Sequence, residues 1–130
     1  MNNPKFKYPD TKAYNFVVDR LAKRGVTQSD LAKIVYETQH QYEPEVTLKE
    51  CEDAVVDVMH KRELMNNAMV MLELDRLTEE GQVDEPLASI IKNDAGVFGV
   101  DETIALQIAT IYGQLEQQTL AILTGLNLGS

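Results

Sequence analysis

Three carboxylates set around two glycines form the constellation in this sequence with the clearest chemistry. Asp94-x-Gly96 is followed, after four residues that include Gly99, by the adjacent pair Asp101 and Glu102. A hard cation such as Mg2+ takes oxygen ligands and is often held by one or two carboxylates together with substrate phosphates and waters. Two neighbouring acids at a helix start, a third across a glycine turn, and backbone N–H groups near the turn supply both a metal site and a phosphate cradle. A metal held there would neutralise a phosphate and polarise an attacking water. The same acids have a plainer use, because a carboxylate in the first helical turn stabilises that turn by roughly 0.3–1 kcal/mol.

Positive partners for a phosphate are Lys61 and Arg62, or Lys92, two residues before Asp94. Isolated basic residues on helices are commonly just solvated. His40 and His60 are unpaired and lie beside polar neighbours, which suits surface or helix-end positions better than metal or general-base work. Cys51 lies on the apolar face of its helix between Glu50 and Glu52, where a thiol is expected to be buried and inert. Met59, Met65, Met69 and Met71 read as adaptable core or as a subunit contact.

Positioning the carboxylates falls to the segment that follows them. From Thr103 to Leu115 no side chain is charged, and Ile104, Ala105, Leu106, Ile108, Ala109, Ile111 and Tyr112 cover nearly every azimuth of a helix. Such a helix is expected to be buried on all sides, with the others packed around it.

Before it, Met1 to Pro9 reads as an extended basic arm. Asp10 is placed to cap a helix through Arg24 that presents Ala13, Phe16, Val17 and Leu21 on one face and stops at Gly25. Thr27 caps the next helix, with Asp30 in its first turn, and Leu31, Ile34, Val35 and Thr38 face inward. Thr47 to Glu50 has the form of a capping box, and apolar residues at spacings of three and four run from Leu48 to Glu80. That length predicts a break near His60-Lys61-Arg62, although no Pro or Gly marks it. Pro86 is expected at the first position of a short helix carrying Leu87, Ile90 and Ile91. Gly113 is one candidate end for the last helix, with a further helical segment to Gly125 as the other. No strand pattern competes. The expected fold is therefore all-α: a single-domain helical bundle of about six helices with one central buried helix, spanning 10–125 between an arm at 1–9 and a short tail at 126–130.

A chain of 130 residues with 44% apolar composition is long enough for one real core. No apolar run approaches the length of a membrane span, and no signal peptide opens the chain, so the expectation is a soluble, cytoplasmic protein. The net charge of −9 is uneven, since residues 1–33 carry +4 and the remainder −13. An acidic body argues against nucleic acid as a partner. The basic first third could meet an anionic membrane surface or a neighbouring subunit, or act as a solubilising terminus.

Taken together, Arg24-Gly25-Val26-Thr27, Lys61-Arg62-Glu63, Asp94-x-Gly96 with Asp101-Glu102-x-Ile104-Ala105-Leu106, and Ile111-Tyr112-Gly113 resemble the soluble, all-helical branch of the phosphatidylglycerophosphatase A family. The resemblance covers roughly Tyr14 to Gly113. It implies a six-helix bundle with one helix surrounded by the others, and Mg2+-dependent hydrolysis of the phosphate monoester of phosphatidylglycerophosphate. By that resemblance Asp94, Asp101 and Glu102 hold the metal, Asp101 and Glu102 serve catalysis, and Lys61, Arg62 or Lys92 neutralises phosphate. The chain departs from the family at Ala95, where soluble members tend to carry Glu, and after Gly113, where Glu116 is the sole charge. The alternative is a non-catalytic helical module that has lost part of the metal site and associates with itself or another protein. For that reading the Met-rich surface, or the C-terminal Leu120, Ile122, Leu123, Leu126 and Leu128, is the relevant feature.

Overall fold

A computed structural model describes residues 3–94 and 102–113. Among the described residues there are six helices and no strands: α1 (Asp10–Lys23), α2 (Gln28–His40), α3 (Leu48–Met59), α4 (Arg62–Glu79), α5 (Leu87–Asp94) and α6 (102–113). This is the all-α bundle expected from the apolar periodicity. The expected segments beyond Gly113, the tail included, lie outside the described residues, as does the loop with Gly96 and Gly99.

Local chemistry accounts for most helix ends. Thr27 Oγ1 accepts from the Asp30 backbone N–H at 3.1 Å, and Asp30 Oδ2 accepts from the Thr27 backbone N–H at 2.9 Å, so the two residues satisfy each other at the start of α2. The Thr27 backbone N–H first, and then the Thr27 hydroxyl, which donates to the same oxygen at 3.0 Å, hold the Asp30 carboxyl below its ordinary value. At α3 only half of the expected box forms: Thr47 Oγ1 accepts from Glu50 N–H at 3.1 Å, and no return bond is made by the Glu50 side chain. Asp10 does not cap α1. Pro9 occupies the cap position, Asp10 is the first helical residue, and its carboxylate is taken by Arg62. Pro86 similarly stands just before α5, where its carbonyl accepts from Ile90 N–H at 3.1 Å. Gly25 and Gly81, at φ 78° and 72°, let the chain leave α1 and α4 in the left-handed region.

The break expected between α3 and α4 is present at His60 and Lys61. Its cause is side-chain chemistry. His60 Nδ1 lies 2.7 Å from the Val56 carbonyl, which can only accept, so the ring carries a proton on Nδ1. Tyr14 of α1 stacks on that ring with centroids 4.2 Å apart, and Lys61 turns extended at ψ 133°.

α1 and α4 run parallel. Arg62 meets Asp10 at their N-terminal ends, Arg20 meets Glu73 further along, and Arg24 meets Asp75 and Glu79 at their C-terminal ends. Tyr8 of the arm donates to Asn66 at 2.6 Å and lies under the Arg62 guanidinium, so the arm is held against α4. The core is built from Val17 and Leu21 of α1, Leu31 and Val35 of α2, Cys51, Val55 and Val58 of α3, Leu64, Ala68 and Leu72 of α4, and one stripe of α6. Cys51 is buried as expected, and Met59 and Met65 are too, whereas Met69 and Met71 are partly exposed.

Burial of α6 on all sides is not observed. Ile104, Ala105, Ile108 and Ala109 are at most 3% exposed, but Thr103 and Thr110 face outward and Leu106 is 43% exposed. Among the described residues, the bundle covers the stripe that faces the core and not the opposite azimuth. α5 shows a related reversal: Ala88 is its buried residue, while Leu87 and Ile90 are 45% and 51% exposed.

Thr27→Ala should lower unfolding free energy by about 1 kcal/mol, read from the urea midpoint at unchanged m-value. Leu64→Ala, which opens a cavity in the core, should cost about 2–5 kcal/mol.

Candidate functional site

Glu102 begins the described part of α6 and is exposed. Four residues of the same helix are locked in the core, and Gln39 Nε2 of α2 donates to the Ala109 carbonyl at 3.1 Å, which fixes α6 against its neighbours. A carboxylate at the described start of a packed helix is therefore held on a rigid support. The Glu102 side chain makes no hydrogen bond or ion pair among the described residues.

Asp94 closes α5, but of its side chain nothing is described, and Asp101 lies outside the described residues. Glu102 is thus the one member of the expected acidic trio with a described side chain. Among the described residues no group of three His, Cys, Asp or Glu side chains forms a metal site.

The expected phosphate partners are separated by their pairing. Lys61 caps α4 and Lys92 occupies the last turn of α5; both are exposed and neither forms an ion pair among the described residues. Arg62 is already engaged. Its Nε and Nη2 donate to the two oxygens of Asp10 at 3.0 and 2.9 Å, a bidentate clamp that holds Asp10 below the usual carboxylate range and raises Arg62 in turn. Arg62 is a brace between α4 and α1, and an anion would have to displace Asp10 to reach it. His60 is likewise occupied structurally, between the Val56 carbonyl and the Tyr14 ring, whose hydroxyl accepts from Gln28 at 2.6 Å.

Two concavities on the α1–α4 face escaped the motif reading. A depression of about 410 Å3 is lined by Arg20, Lys23, Arg24, Arg76, Leu72 and Glu79. Beside it a groove of about 430 Å3 is lined by Phe16, Met69, Val70, Leu74 and Leu77, with Glu73 at its edge. They meet where the Arg20 guanidinium stacks on Phe16 at 4.3 Å and pairs with Glu73 at 3.3 Å. Glu73 also accepts from Arg76, whose guanidinium keeps the Glu73 carboxyl below its ordinary value. The excess of basic residues in the first third of the chain was the sequence signal. What the sequence could not supply was their juxtaposition with Arg76, which depends on the parallel pairing of α1 with α4.

No family model matches the chain. Two proteins of Bacillus subtilis (strain 168) are similar to it: YpjQ, 36% identical over 109 residues, and YutG, 40% identical over 96 residues. Those alignments cover 84% and 74% of this chain but 62% and 58% of the relatives, so the chain spans about three fifths of their length. The crystal structure of ypjQ from Bacillus subtilis, a member of the family DUF64, superposes with a TM-score of 0.64 at 33% identity, over 94% of this chain and 76% of that one. The low temperature requirement C protein of Listeria monocytogenes superposes with a TM-score of 0.58 at 36% identity, over 83% and 65%.

Arg62→Ala tests the brace. Because the Asp10 carboxyl is depressed from its ordinary 3.8, the pair's contribution to stability is present above that value and is lost as pH falls through the lower folded value. The variant should show a flatter acid limb in denaturation midpoint against pH, with no change in its affinity for inorganic phosphate. Weakened phosphate binding would make Arg62 a ligand instead.

Proposed function

The chain belongs to the YpjQ family, and from that premise we propose that it is a Mg2+-dependent phosphomonoesterase of the phosphatidylglycerophosphatase A type, acting on the phosphate of a phospholipid headgroup. The observation that carries the reading is Glu102: an exposed carboxylate, unpaired among the described residues, at the described start of a helix whose other face is fixed in the core. The sequence places Asp101 beside it and Asp94 across the glycine loop. Three carboxylates are a donor set that suits a hard divalent cation. Asp94, Asp101 and Glu102 would hold the metal, which when bound supplies charge neutralisation and a polarised water. Lys61 and Lys92, exposed and unpaired among the described residues, are available to the substrate phosphate; Arg62 is withdrawn from that role by Asp10. The names of the similar proteins state no activity, so the reading rests on these residues and their spacing.

The decisive assay is phosphate release from phosphatidylglycerophosphate in detergent micelles, with and without Mg2+, beside Glu102→Gln. Metal-dependent release should be abolished in the variant while its helical circular dichroism stays unchanged. Full turnover by Glu102→Gln would sink the assignment.

A further inference from the structure

We propose that the apolar groove on the α1–α4 face is the docking site of the chain's own C-terminal segment, residues 114–130, whose leucine and isoleucine side chains take the place of solvent over Val70, Leu74 and Leu77.

Charge removes most other occupants. Glu73, the one acid in the lining, is shared by Arg20 at 3.3 Å and by Arg76, and Arg20 lies over the Phe16 ring. Arg24 next to it pairs with Asp75 and Glu79. Residues 10–24 and 62–80 together hold six basic and seven acidic side chains. A face so balanced exerts no net pull on a phosphate-rich surface, a nucleic acid or a charged peptide. What it offers is apolar area: Val70 is 66% exposed, with Phe16, Met69, Leu74 and Leu77 around it. An occupant must therefore be apolar and nearly uncharged.

Size then separates a tethered occupant from a free one. On α4 the lining runs from Met69 to Leu77, about 12 Å of helix at 1.5 Å per residue. With Phe16 of α1 added, it stays short of the roughly 800 Å2 that each partner buries in a stable interface. A second copy of the chain would also bring another charge of −9 to the contact. A segment of the same chain escapes both costs, because its effective concentration is about millimolar and no translational freedom is lost on docking.

One segment outside the described residues meets these terms. Residues 114–130 carry Leu115, Leu120, Ile122, Leu123, Leu126 and Leu128, with Glu116 as the sole charge. They follow directly on α6, which the core and Gln39 anchor. Seventeen residues can span up to about 56 Å, against a diameter of about 36 Å for a compact domain of this length, so the groove is within reach. An apolar, uncharged stretch and an apolar groove without free charge thus belong to one chain, and docking removes both from water.

The test uses the full chain with isotope-labelled methionine methyl groups, observed by NMR. The Met69 resonance, assigned through Met69→Leu, reports on the groove, and those of Met59 and Met65 report on the core. In the double variant Ile122→Ser with Leu123→Ser, the Met69 signal should shift while the Met59 and Met65 signals stay in place. In the reciprocal variant Val70→Ser with Leu74→Ser, proteolytic cleavage within 114–130, followed by mass spectrometry, should accelerate at least about tenfold, as expected for the loss of one buried apolar side chain. Circular dichroism checks that both variants fold. An unmoved Met69 signal in the C-terminal variant, or cleavage at the parent rate in the groove variant, would overturn the proposal. So would a concentration-dependent dimer that Val70→Ser with Leu74→Ser dissolves, which would give the groove to a second copy of the chain. Neither readout involves hydrolysis, so the outcome is independent of the phosphatase reading.

Discussion

The parallel pairing of α1 with α4 is the constraint on which the arrangement of this bundle depends. Parallel helices bring like dipole ends together, and some charges then sit at the wrong ends. Arg62 occupies the first turn of α4, where a cation is unfavourable, and Glu79 and Glu80 lie at its end, where acids are unfavourable. Each of these is answered. Asp10 in the first turn of α1 takes Arg62, Arg24 takes Glu79, and Arg76 takes Glu80 at 2.8 Å. The partners of successive pairs lie 51 to 55 residues apart in sequence, so the ladder specifies one register of α4 along α1. Exposed ion pairs contribute little to stability. Their work is selection among packings, and the driving energy comes from the apolar residues beneath them.

Those residues link the register to the candidate site. Leu64, Ala68 and Leu72 of α4 share a core with Ile104 and Ile108 of α6. α6 is held by that stripe and by Gln39, and Glu102, where its described part begins, is left at the surface. One set of contacts thus fixes both the support of the carboxylate and the parallel helices that form the groove and the cationic depression. Among the described residues, no helix is long and apolar enough to cross a membrane.

Much of this was legible in the residues themselves. Helix starts at Thr27 and Thr47, the stop at Gly25, and the inward rows of α1 to α4 follow from capping chemistry and from 3.6-residue periodicity, both of which act over one or two turns. The carboxylates of the candidate site were also visible, because Asp94, Asp101 and Glu102 are close in sequence. Their mutual geometry was not, since it depends on the path of the chain between α5 and α6.

The sequence by itself determined the all-α class, the apolar rows, the location of the break between α3 and α4, and the identity of the acidic trio, because each depends on neighbours within a few residues. Tertiary structure alone decided which basic residues are free. Arg62 and Lys61 are adjacent in the chain, yet one is clamped by Asp10 from another helix and the other is exposed. It also decided that Leu106 of α6 and Leu87 and Ile90 of α5 face outward despite their apolar character. The physical reason is common to both: an apolar or charged side chain is recognised by its type, but its burial and its pairing belong to whatever surface packing brings opposite it.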